Sequence, residues 1–148
     1  KKDLRTNKEG LLRSNTRNIY VNDTDEKWIA HNGRILELAD SIERKRIELE
    51  KDSGFEKLYH KVVKHYFGGM ARHLEELKPK LRPGAKLAYV VGDQASYFRI
   101  LIQTGEILAD IARDAGYEVM NIDLFRTRIS TATKEQLREE VVLLHWKG

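Results

Sequence analysis

Lys86-Leu87-Ala88-Tyr89-Val90-Val91, entered through Leu81-Arg82-Pro83-Gly84 and closed by Gly92-Asp93, is the stretch on which the fold turns. It is too short for a helix, apolar at successive positions, and bounded by turn residues. That pattern reads as a buried strand of a parallel sheet. After the segment 94–103, Thr104 stands as an N-cap for a helix carrying Ile107, Leu108, Ile111, Ala112 and Ala115, and Gly116 closes it. Tyr117–Arg126 then reads as a strand in which Met120, Ile122 and Leu124 alternate, and Leu137–Trp146 as another around Val141-Val142-Leu143-Leu144. The segment between them, Thr127–Gln136, is polar and basic. Strand, helix, strand implies a parallel pair joined by a right-handed crossover, with the last two strands forming an antiparallel hairpin. Three strands leave such a sheet half built, so the expected architecture is an α/β fold corresponding to half of a doubly wound sheet.

Upstream of this stretch the periodicity is helical. Ile35, Leu38, Ala39 and Ile42 form one stripe within 25–51, and Glu43, Arg44, Lys45, Arg46, Glu48 and Glu50 fill the solvated face. Asn32-Gly33 divides this region into a short helix and a longer one. Ser53 and Glu56 have the spacing of a capping box. The next helix holds its period from Phe55 through Leu58, Tyr59, Val62, Val63, Tyr66, Phe67, Met70 and Leu74 to Leu77. Gly68-Gly69 inside it costs about 1 kcal/mol per glycine relative to alanine, which implies close packing or a bend at that point.

The sequence has 148 residues with 27 Lys+Arg against 23 Asp+Glu, and the excess of four positive charges is entirely local. Residues 1–20 hold six basic side chains and two acidic ones, so the remainder is balanced. A neutral body with a basic arm over residues 1–24 is the result, the arm being either a mobile tail or a contact to a polyanion. There is no cysteine, which excludes disulfides, thiolate metal sites and cysteine nucleophiles. No apolar run approaches the roughly 20 residues needed to span a bilayer, and no secretory segment opens the chain; the expected location is the cytoplasm, with no membrane partner. The five histidines lack metal-ligand spacing and Ser96 lacks a nucleophile-elbow context, so no metal and no triad is expected. With lysine and not methionine at position 1, the chain reads as a fragment, a processed product or a sequence with its start missing.

Leu81–Asp93, preceded by an amphipathic helix, resembles the entry to the fifth strand of S-adenosylmethionine-dependent methyltransferases, in particular the DNA amino-methyltransferases that modify adenine N6 or cytosine N4. Ile102–Val119, Arg126-Thr-Arg128 and Leu137–Leu144 are similar to the C-terminal end of a group of prokaryotic DNA methylases. The resemblance runs over Phe67–Leu144 and covers residues 1–66 only loosely. It implies the C-terminal half of a Rossmann-like methyltransferase fold, a mixed sheet with a terminal antiparallel hairpin over 55–148, preceded by a helical insertion over 25–54. It also implies what this chain lacks: the Gly-rich cofactor loop and the Asp/Asn/Ser-Pro-Pro-Tyr/Trp motif that holds the target amino group. On this resemblance the catalytic residues and most contacts to S-adenosylmethionine lie in a complementary N-terminal half, and the chain alone is inactive. Two alternatives stand beside it: a non-catalytic nucleic-acid-binding or scaffold subunit keeping a degenerate methyltransferase half, and a fragment of an RNA methyltransferase.

The candidate site residues follow from position and type. Gly92 and Asp93 end a strand at its carboxyl edge, where open α/β sheets bind ligands; Asp93 either accepts a hydrogen bond from a base or caps the following turn. Tyr97 and Phe98 either stack on an extruded base at the same rim or pack locally. Arg126, Arg128 and Lys134, with the hydroxyls of Ser130, Thr131 and Thr133, form a phosphate-contacting set, or the arginines pair with Glu139 and Glu140 across the hairpin. In the arm, Arg5, Lys8, Arg13, Asn15 and Arg17 have side chains suited to phosphate or base-edge contact with DNA.

Overall fold

The computed structural model describes Leu12, Thr16 and residues 22–148, so the arm residues Arg5, Lys8, Arg13, Asn15 and Arg17 lie outside the described residues. The chain forms two compact units, Lys1–Arg72 and His73–Gly148.

In the first unit a 3-10 turn over Asp25–Ile29 precedes helix α1, Gly33–Glu48. The Asn32 side chain accepts a hydrogen bond from the Ile35 backbone N–H at 3.1 Å, which is why the chain breaks and restarts at Asn32-Gly33. Ile35, Ala39 and Ile42 are buried on one stripe of α1, as their spacing requires. The helix stops at Glu48, earlier than the charge pattern suggests, and Glu50 takes a left-handed φ of 53°. Ser53 and Glu56 then make the reciprocal capping box: the Glu56 N–H donates to Ser53 Oγ and the Ser53 N–H to Glu56 Oε2, both at 3.2 Å. The box opens a 3-10 turn, Glu56–Leu58, which leads into helix α2, Tyr59–Leu77.

Gly68 and Gly69 are the points of close approach. A β-carbon on Gly68 would lie 2.0 Å from the Asp25 carbonyl oxygen, and one on Gly69 3.3 Å from Asp25 Oδ2. The turn 25–29 therefore rests directly on the α2 backbone. Arg72, one turn further along α2, holds the Asp25 carboxylate at 2.5 Å.

The second unit contains the only sheet among the described residues: β1 (Ala85–Gly92), β2 (Glu118–Ile129) and β3 (Gln136–Trp146), in the order β1-β3-β2. Both pairings are antiparallel. The expected antiparallel hairpin of β2 and β3 is present, within a mixed α/β chain. The expected parallel pair is not: β1 and β2 run in the same direction, but β3 inserts between them and takes the hydrogen bonds of both. β1 is consequently an edge strand, not a buried one, and Val90 is 68% exposed.

Helix α3, Thr104–Asp114, joins β1 to β2 and packs on all three strands. Its N-cap is Gln103, with no side-chain capping bond, and Thr104 is its first residue; Gly116 follows the end with φ 93°. The sheet face toward α3 carries Val142 and Leu144, both fully buried. Burying each contributes about 1.5–3 kcal/mol. Tyr117 donates a buried hydrogen bond to the Leu74 carbonyl at 2.7 Å and packs against Trp146 at 5.0 Å between ring centroids. Tyr89 meets His73 at 2.8 Å on the same face. In β2 the simple alternation fails: register shifts at 119/121 and 124/126 leave Met120, Leu124 and Phe125 about half exposed or more.

Gly68→Ala should destabilise the full chain by roughly 2–3 kcal/mol, because the methyl group meets backbone that cannot move aside cheaply. Gly33→Ala, where nothing lies within 4 Å of the new carbon, should change stability by less than about 1 kcal/mol. Urea denaturation of the two variants measures both.

Candidate functional site

The carboxyl end of β1 carries an acidic cluster that the register builds. Val91 pairs with Glu140, and the Asp93 N–H extends the ladder by donating to the Arg138 carbonyl at 2.8 Å. Asp93, two residues beyond Val91, therefore shares the sheet face of Glu140, Val142 and Leu144, the face on which α3 packs. Asp93 is 4% exposed and Glu140 5%.

The two carboxylates are held differently. Arg138 Nε donates to Glu140 Oε2 at 3.1 Å, and the other oxygen of Glu140 lies over Gly105 in the first turn of α3. A β-carbon at Gly105 would come within 2.6 Å of Glu140 Oε1, so glycine is the residue that lets this carboxylate reach the helix. Asp93 is fixed through its backbone: its N–H is in the ladder, and its carbonyl accepts from Arg128 Nη2 at 2.8 Å. Its Oδ1 is buried without any hydrogen-bond partner. Burial pushes its pKa above the ordinary carboxyl value, and the neighbouring Glu140 charge pushes in the same direction, against the pull of the Arg138 backbone N–H and charge.

The loop 94–103 leaves this cluster and returns to α3. Gln94 and Ile102 close it with two backbone hydrogen bonds of 3.1 and 2.7 Å. Phe98 and Arg99 both adopt left-handed φ, 55° and 63°, which costs roughly 1 kcal/mol each for residues other than glycine. Tyr97 and Phe98 occupy the turn at its tip and are half-buried. Gly92 pairs with Glu139, and a β-carbon there would meet Glu139 Cγ at an ordinary 3.5 Å.

The hairpin arginines adopt the ion-paired arrangement. Arg126 and Arg128 both reach Glu139, the latter at 3.4 Å, and Arg138 takes Glu140. The Arg126–Glu139 contact raises the arginine's pKa. The hydroxyls set beside them serve the turn: Ser130 is buried and its Oγ accepts from the Thr133 N–H at 3.2 Å, while Thr133 Oγ1 accepts from the Glu135 N–H at 3.3 Å. Lys134 is exposed at φ 62°.

Sequence reasoning set Glu140 across the hairpin from the arginines and missed its burial beside Asp93. Period-two alternation from Leu144 and Val142 already points it inward. It also missed a groove of about 560 Å³ in the first unit, lined by Glu37, Asp40, Glu43, His60 and Lys64. There the Arg46 hydrogen bonds lower the Glu43 pKa, and burial lowers that of His60. Among the described residues no cluster of His, Asp or Glu has the geometry to hold a metal, and no helix is long and apolar enough to cross a membrane.

Because the fold raises the Asp93 pKa, it favours the protonated form. The wild-type chain should lose stability as pH rises from the ordinary carboxyl value through the raised one. Asp93→Asn removes that penalty. It should stabilise the chain by about 1 kcal/mol at neutral pH, and the gain should vanish below the ordinary carboxyl range. Denaturant midpoints of both proteins across the acid range test this. Compared with known protein families, curated proteins and solved structures, the chain matches none.

Proposed function

We propose that this chain is the distal part of an S-adenosylmethionine-dependent DNA amino-methyltransferase. The proposal rests on the resemblance over Phe67–Leu144, and one structural observation carries it further. The segments that bear the resemblance form one α/β unit in which β1 and β2 run the same way across α3 and the last strand returns antiparallel. A sheet that ends in an antiparallel hairpin is what the resemblance implies. Gly92, Asp93, Tyr97 and Phe98 then lie at the carboxyl end of β1, the side on which open α/β sheets hold ligands.

On this reading the described residues hold little of the cofactor site. They contain no Gly-rich loop, and the carboxyl end of β1 offers a buried carboxylate, Asp93. On this reading S-adenosylmethionine, whose sulfonium carbon is the methyl donor, is held by the complementary half. What this chain supplies is a fixed wall beside the base: the Asp93 carboxyl, the rim aromatics, and backbone clamped by Arg128. Arg126 and Arg128 enter the reading paired with Glu139, whose single charge offsets one of the two, and exposed Lys134 adds a further hairpin cation to meet a phosphate. A second reading, a non-catalytic nucleic-acid-binding or scaffold subunit, is favoured by the absence of the two motifs from these 148 residues.

Methyl incorporation from labelled cofactor separates the readings. The chain alone should transfer no methyl to DNA. Together with a separately supplied N-terminal methyltransferase half carrying the Gly-rich loop and the Asp/Asn/Ser-Pro-Pro motif, it should give incorporation about tenfold or more above either part alone. Incorporation by the chain alone would show that the catalytic residues lie here. Its absence from the combined parts, with DNA still retained, would favour the scaffold reading, and transfer to RNA but not DNA would change the substrate.

A further inference from the structure

β2 is the long free edge of the sheet. It pairs with β3 along one side and, among the described residues, with no strand along the other. The opposite outer strand, β1, has 8 residues and carries Lys86 just behind Pro83-Gly84. β2 has 12 residues and contains neither proline nor lysine, two residues with which proteins commonly protect an edge from other chains. Along it Met120, Leu124, Phe125 and Ile129 are between 47 and 61% exposed. Such an edge is a surface for another strand. Its charges say which strand. Glu139 offers one negative charge to both Arg126 and Arg128, so the second half of β2 is left positive. In the first half, Asp123 accepts from the Asn121 amide and meets no cation among the described residues. A strand that is acidic before its midpoint and basic after it complements a second copy of itself laid antiparallel.

We propose that two copies of this chain pair through β2, antiparallel about Leu124-Phe125, so that their three-stranded sheets become one continuous sheet across a two-fold axis. The register follows from the second bulge, where Leu124 and Phe125 together take one place in the ladder with β3. With that place on the axis, Asp123 stands opposite Arg126 of the second copy, Ile122 opposite Thr127, and Asn121 opposite Arg128. Each relation occurs twice. The faces also agree, as antiparallel neighbours require. Asp123 and Arg126 lie against Val141 and Glu139 on the open face, and Ile122 and Thr127 lie against Val142 and Arg138 on the other. An axis moved onto Asp123 or Arg126 would set like charges face to face. The pairing goes beyond the methyltransferase reading and stands without it.

Sedimentation equilibrium of the full 148-residue chain tests this. The wild type should dimerise in the micromolar range. Asp123→Arg and Arg126→Asp should each weaken the dimer about tenfold or more, since symmetry makes every reversal count twice. The double variant, which exchanges the two charges, should return to within about threefold of the wild type. Hydrogen exchange of the wild type gives a second reading that no substitution can disturb. As concentration rises through the dimer range, amides of β2 should slow while those of β1 do not. Should a variant fail to fold, seen as a lost circular-dichroism transition, the exchange reading decides alone. A chain still monomeric at hundreds of micromolar, or a dimer whose β2 amides exchange at an unchanged rate, would overturn the proposal. So would a dimer indifferent to both reversals, or losses that the double variant does not restore.

Discussion

β3 is hydrogen-bonded along both of its edges, and the second unit depends on that double pairing. Its inward residues Val142 and Leu144 are fully buried, its Arg138 carbonyl anchors Asp93, and its Glu140 meets α3 through Gly105. Through β3 alone the two outer strands acquire a register, because β1 and β2 never touch one another's backbone. The acidic corner is thus a product of register. Shift β3 by one residue and Glu140 turns to the open face, Asp93 loses its ladder bond, and the corner disappears.

The local punctuation was legible in the sequence because its physics is local. Asn32 capping α1, the Ser53–Glu56 box and Gly116 past the end of α3 are each decided by residues within a few positions of one another. Gly68-Gly69 was legible as a point of close approach because glycine in a helix interior needs a compensating contact, although the sequence did not say that residue 25 supplies it. Strand order was not legible. Lys86–Val91 has the same composition whether it lies mid-sheet or at an edge, and what decides is a partner more than forty residues away.

The site was readable in part for the same reason. Asp93 stands out by position, at the end of an apolar run. Glu139 and Glu140 are adjacent and identical, yet one is matched to Arg126 and Arg128 on the open face while the other is buried beside Asp93. Alternation separates them once the strand is known to have one covered face. The arginines admitted two readings in sequence, a phosphate-contacting set and pairing with Glu139 or Glu140 across the hairpin, and Glu139 is the partner that both take.

The order β1-β3-β2 has a consequence for biosynthesis. A ribosome releases β1 first, then α3 and β2, and neither strand has a backbone partner in the unit until β3 emerges. Throughout that interval the apolar segment Leu87–Val91 and the exposed side chains of β2 stand unpaired, in a chain that has already been able to close the Asp25–Gly68 contact of the first unit. The contacts of the first unit lie wholly upstream of the sheet, whereas the sheet of the second cannot close before its last strand is delivered. A chain cut short within β3 would lose the whole sheet, not one strand of it.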